Sequence, residues 1–206
     1  RGEVSSIIKQ KNDFFIGFKN SGLIRLEYLS NSKSKYMVHP INIQSGIFCL
    51  MKDRFQDIIW VGTDGQGIYM CFTNEFSIQN ILLNGPEYRV NNPVRSLYLD
   101  QEKSLWVGTK GDGILRMTNF YHDGTTTSQV ERFSTANSSL THNSIYSFAP
   151  SRWNRLWIGT ENGLNYYSYP EKKIKEFPVL ADDRTVKYVH SILETNDSTL
   201  WIATVG

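Results

Sequence analysis

Val94-Arg95-Ser96-Leu97-Tyr98-Leu99-Asp100, then Leu105-Trp106-Val107-Gly108-Thr109, then Gly111-Asp112-Gly113-Ile114-Leu115 form the stretch on which the whole 206-residue chain is patterned. Its central pentad returns as Ile59-Trp60-Val61-Gly62-Thr63, Leu156-Trp157-Ile158-Gly159-Thr160 and Leu200-Trp201-Ile202-Ala203-Thr204. An eroded copy, Phe14-Phe15-Ile16-Gly17-Phe18, stands near the start with Phe in place of Trp. The anchor aromatics lie at 15, 60, 106, 157 and 201, with spacings of 45, 46, 51 and 44. A period of this length marks a repeat architecture, which fixes the fold before any single motif is weighed.

Each copy has the same companions. A short apolar strand precedes the pentad: Ile47-Phe48-Cys49-Leu50, Val94-Arg95-Ser96-Leu97, Ile145-Tyr146-Ser147-Phe148 and Val189-His190-Ser191-Ile192. A Gly-bearing turn and a third strand follow it, as in Asp64-Gly65-Gln66-Gly67-Ile68-Tyr69 and Glu161-Asn162-Gly163-Leu164-Asn165-Tyr166. A more variable fourth strand closes the unit, for example Lys35-Tyr36-Met37-Val38 or Ile174-Lys175-Glu176-Phe177. The segments are β-branched and aromatic, separated by Gly, Asn, Asp and Ser, and none has helical periodicity. Four strands per repeat predict an all-β chain of β-propeller blades, each a four-stranded antiparallel sheet. Blade boundaries are expected near 1-44, 45-91, 92-142, 143-186 and 187-206, the last incomplete. A ring of six to eight such blades needs ~270–360 residues, so about four and a half blades predict a partial arc. Its open edges invite pairing with another chain, a homodimer included.

Composition narrows the class. The chain is 40% hydrophobic, 13% aromatic and 20% charged, enough to bury a core. Twenty-two Lys and Arg against 20 Asp and Glu leave +2, which supplies no field for nucleic acid. No apolar run reaches the ~18 residues of a membrane span, so no membrane contact is expected of this segment. Arg1-Gly2-Glu3-Val4 shows no signal peptide and reads as the middle of a longer chain. The glycine in strand two lets a neighbouring strand approach closely, and the turn glycine supplies positive φ. Cys49 takes the slot held by Ser6, Ser96, Ser147 and Ser191, while Cys71 lies in strand three of the same blade. Strand two separates them by about two strand spacings of ~4.8 Å, so both read as buried free thiols.

The lines Val94–Met117 and Ile47–Met70, with Ile145–Tyr167 close behind, resemble the two-component regulator propeller repeat. Val189–Gly206 matches until it is cut off, and Val4–Leu26 matches in outline. The Gly-His…Trp-Asp of WD repeats, the Gly-Gly of kelch and the Asp-box are absent. The resemblance implies a ligand-sensing segment of a periplasmic sensor. Its implied partners are an oligosaccharide, the remaining blades and a downstream histidine kinase of the same polypeptide.

The antiparallel topology puts the turn between strands two and three on the same rim as the connection into the next blade. That rim carries Lys110, Asp112 and Glu161 from the turns, and Arg95, His142, Tyr146, Tyr188 and His190 from the connections and strand starts. Amide, carboxylate, cationic and aromatic groups together suit sugar hydroxyls and sugar faces. Asp, Asn and Gly also stand where turns need them, so Arg95, Tyr146 and His190, which are not turn types, carry the functional weight. No metal, catalytic residue or cofactor is expected. His142 and His190 lack a third ligand at a known spacing, and the carboxylates at Asp53, Asp100 and Glu194 recur as turn chemistry. A protein-binding scaffold remains the alternative, with a metal-dependent propeller lyase ranked last. Tyr121–Ser128 reads as an extended hairpin tip.

Overall fold

The computed structural model describes residues 2–30, 35–81, 88–119, 129–181 and 184–205. The hairpin tip expected at Tyr121–Ser128 lies outside them. The described residues form β-sheet throughout, and no helix is long and apolar enough to cross a membrane. Contacts divide the chain into two compact units, Arg1–Leu82 with Val90–Val94, and Leu83–Arg89 with Arg95–Gly206.

The first unit holds two sheets. One runs β1 (Val4–Gln10), β2 (Asp13–Phe18), β3 (Gly22–Tyr28) and β4 (Tyr36–Ile41); the next runs β5 (Ile47–Lys52), β6 (Ile58–Thr63), β7 (Ile68–Phe72) and β8 (Ser77–Asn80). Both are antiparallel meanders in sequence order. Their faces share a core of Phe15, Leu23, Ile43, Ile47, Ile59, Val61 and Cys71. Every residue of β6 is buried, which is why its motif reads as an unbroken apolar run rather than an alternation.

The second unit repeats the plan. β9 (Val94–Leu99), β10 (Leu105–Thr109), β11 (Ile114–Thr118) and β12 (Gln129–Phe133) form one meander. β13 (Ile145–Ser151), β14 (Arg155–Thr160), β15 (Gly163–Ser168) and β16 (Lys173–Phe177) form the next. Trp106, Phe133, Ile145, Leu156, Ile158 and Tyr167 are the heart of the core between them. A short hairpin, β17 (Leu180–Ala181) and β18 (Arg184–Thr185), has no counterpart in the sequence reading. The pair β19 (Ser191–Glu194) and β20 (Leu200–Ala203) packs Val189 and Ile192 against Ala149, Trp157 and Leu164.

The strand-two glycine has a direct steric cause. A Cβ on Gly108 would stand 2.7 Å from Ile145 Cγ2, and one on Gly17 would stand 2.6 Å from Ile47 Cγ2. Each of those isoleucines opens the following sheet, so the glycine is the seat on which the next sheet's first side chain rests. The turn glycine is equally constrained: Gly113 has φ +76°, and a Cβ there would lie 2.2 Å from the Phe133 carbonyl oxygen.

Cys49 and Cys71 are free thiols. Burial pushes Cys49 up to about 12 and Cys71 to about 11. Cys49 is half-buried, and its thiol donates to the Val94 carbonyl at 3.4 Å, as Ser147 Oγ donates to the Val189 carbonyl at 3.5 Å. Cys49 thus does a serine's work in a serine's slot.

Candidate functional site

The opening strands of the sheets carry a shared irregularity. In β13, Ile145 faces Thr160 and Ser147 faces Gly159, which leaves Tyr146 as an extra residue in a β-bulge. The same shift falls between Ile47 and Cys49 and between Val4 and Ser6. Arg95, between Val94 and Ser96, and His190, between Val189 and Ser191, occupy this position in their own copies of the repeat. A bulge releases its extra residue from the ladder and re-aims the side chain, and bulges concentrate next to functional sites.

In the second unit the three side chains at this repeat position meet. The Arg95 guanidinium carbon lies 4.5 Å from the centre of the Tyr146 ring. On Tyr146 stacks His190, with ring centroids 4.2 Å apart and planes inclined by 36°. The result is a column of cation, phenol and imidazole. The cation–ring contact contributes about 0.5–2 kcal/mol, depending on its exposure. Arg95 and Tyr146 are half-buried and His190 is exposed. Among the described residues, the Arg95 guanidinium, the Tyr146 hydroxyl and the His190 ring make no hydrogen bond within the protein.

The remaining rim residues are held by backbone lacing. Gly111 and Gly113 donate to the Asn143 carbonyl at 3.1 and 3.0 Å, and Lys110 bridges Ser144. Glu161 N–H donates to the Ser144 carbonyl and its own carbonyl accepts from Tyr188 N–H, both at 3.1 Å. The β10–β11 and β14–β15 turns and the entries to the following opening strands are therefore one hydrogen-bonded rim. Asp112 lies in the first turn, where its carbonyl accepts from Arg132 Nη1 at 2.7 Å. His142 is a turn element: its Nδ1 accepts from Ser144 N–H at 3.1 Å. Tyr188 is exposed at φ +51°, a costly conformation for a residue bearing a Cβ. The structure brings Arg95, Tyr146 and His190 into contact, while Lys110, Asp112, His142, Glu161 and Tyr188 stand in the turns and connections of the same rim.

Two features escape the sequence reading. Asn165 is fully buried in β15 at a position that carries Tyr69 and Leu115 in other copies. Its side-chain oxygen accepts from Thr141 Oγ1 at 2.6 Å, and its amide donates to the Ser139 and Lys175 carbonyls. This satisfied network pins the segment that leads into β13. A polar residue at an apolar repeat position was the available signal.

Glu194 corrects the grouping made from sequence. Asp53 Oδ1 accepts from the N–H groups of Phe55 and Gln56 while Oδ2 accepts from Trp60 Nε1, and Asp100 serves Ser104 N–H and Trp106 Nε1 in the same way. Glu194 faces Leu200, one residue before that register position, and reaches into the preceding sheet to accept from Trp157 Nε1 at 2.6 Å. Its burial resists ionisation, but hydrogen bonds from Ser151, Trp157 and Arg152 outweigh it and hold the carboxyl below its ordinary 4.5.

Comparison with known proteins places these features in context. Residues 89–111 and 139–162 match the family model described as two component regulator propeller. Histidine kinase P4 of Formosa agariphila is 31% identical over 166 residues, spanning 79% of this chain and 12% of that protein. The extracellular domain of a putative hybrid two component system from B. thetaiotaomicron superposes with a TM-score of 0.75 at 22% identity, over 99% of this chain and 26% of that one. An ancestral GH74 enzyme superposes at 0.68 with 14% identity, over 98% of this chain and 27% of that one, a likeness of fold alone.

Proposed function

Since the chain carries two-component regulator propeller repeats, we propose that it is a ligand-sensing propeller segment of a periplasmic two-component sensor, that it recognises an oligosaccharide, and that it signals to a histidine kinase elsewhere in the same polypeptide. The supporting observation is the Arg95–Tyr146–His190 column. Three successive copies of the repeat use one repeat position to build a single continuous surface. It combines an exposed imidazole with hydrogen-bonding groups left unused within the protein, which suits the hydroxyls of a sugar. This reading makes the chain a receptor element.

Calorimetric titration of the intact sensor against a panel of plant and host oligosaccharides tests this reading. Saturable binding of one glycan class, weakened about tenfold by Tyr146→Ala, is the expected result. Silence from a folded protein across the panel rejects it in favour of a protein-binding scaffold.

A further inference from the structure

Arg95 differs from the other arginines near it. Arg116 gives its terminal nitrogens to Tyr167, Glu102 and Ser104, and Arg132 gives its own to the Asp112 and Arg89 carbonyls. In the first unit, Arg25 beside a cleft of about 430 Å³ is already paired with Asp13 and Glu27. Arg95 has no such partner among the described residues, although its Nη1 is shut off from solvent. A buried guanidinium N–H without an acceptor loses its hydration and gains nothing in return. Tyr146 holds the flat face of the group, so the donor edge remains for something else.

From this edge we infer that the ligand carries an oxyanion, a carboxylate or a sulfate, which Arg95 receives through its guanidinium fork. The inference rests on the sensor reading and narrows its ligand class. Two oxygens of one oxyanion match the parallel N–H groups of the fork and neutralise its charge, which sugar hydroxyls do not. The surroundings favour contact with one anionic group of the ligand over attraction to its total charge. Lys110 and Lys187 are exposed cations on the rim, but Asp112 in the turn of Lys110 and Glu161 in the β14–β15 turn offset them. Recognition therefore falls to one short-range contact rather than to a broad positive field.

The test uses the intact sensor and three probe sets: oligogalacturonates, sulfated galactan oligosaccharides, and their carboxyl-reduced or desulfated counterparts. At least one anionic probe should bind, its neutral counterpart about tenfold or more weakly. Arg95→Gln should erase that preference and Arg95→Lys restore part of it, with melting curves verifying that each variant folds. Loss on carboxyl reduction identifies a carboxylate, and loss on desulfation a sulfate. The wild-type comparison of charged and neutral probes stands even where a variant fails to fold. Equal binding of neutral and anionic probes overturns the oxyanion and leaves the oligosaccharide sensor intact. Absence of binding by every probe overturns the oxyanion, and the plant and host oligosaccharide panel then decides the sensor reading.

Discussion

Trp106 and Trp157 fill the same slot of the repeat and are both buried, yet their indole N–H groups are satisfied in opposite ways. Trp106 donates to Asp100 at the end of its own sheet's opening strand and packs among Phe133, Phe148 and Tyr167. Trp157 has Ser151 at that position, a side chain too short for the task, and donates instead to Glu194 of the following strand pair. Around this link Arg152 also grips that pair, donating to the Thr195 carbonyl at 2.6 Å and facing the Glu194 carboxylate at 3.6 Å. The first sheet shows a related device: it has Gln10 in place of the aspartate and Phe15 in place of the tryptophan, and Gln10 and Lys11 reach Asp57 of the next sheet. Sheets with the aspartate hold their own indole, Asp100 also accepting from Tyr169 Oη of the next sheet at 3.3 Å, and in sheets without it the contact at this position goes to the neighbour alone. The same repeat can therefore spend one polar contact on a sheet's own integrity or on coupling between sheets.

Substitutions can break or sharpen this contrast, and urea unfolding reads all of them. Trp106→Ala removes the centre of an aromatic cluster and should cost about 3–5 kcal/mol. Gly108→Ala forces a methyl against Ile145 and should cost about 1–3 kcal/mol; a neutral result would show that the seat between sheets yields easily. Asp100→Ala strands the Trp106 indole, the Ser104 N–H and the Tyr169 hydroxyl of the next sheet, with an expected loss of about 1–3 kcal/mol.

Glu194→Gln keeps an acceptor for Trp157 but removes the charge, so less than about 1 kcal/mol should be lost at pH 7. Its effect lies in the pH profile. A carboxyl held below 4.5 when folded stabilises the protein above that value, and the contribution disappears as pH falls through the folded value. The wild type should thus lose stability below pH 4.5 with a slope that Glu194→Gln reduces. Cys49→Ser should change stability by no more than about 0.5 kcal/mol, because serine serves in this slot in the other copies. With its thiol raised to about 12, Cys49 should also react slowly with thiol reagents in the folded protein at pH 8.

Much of this was legible in the chain. The pentads announced central strands because a strand buried on both faces needs an unbroken apolar run, and β6 and β10 are buried at every residue. Arg95, Tyr146 and His190 stood out as residues that turn chemistry does not require. Their meeting could not be read, because it depends on a bulge that adds one residue to β13 and on how closely one opening strand lies beside the next. Glu194 was misgrouped for the same reason: a shift of one position along a strand sends a side chain to the other face, and spacing alone does not reveal register. Sequence by itself determined the repeat, the four-stranded sheets and the glycine seats, since period, burial pattern and the missing Cβ are local properties of the chain. Tertiary structure alone decided which residues stack, which indole pairs with which carboxylate, and which guanidinium is left without an acceptor, because each of those depends on register and on the approach of side chains far apart in sequence.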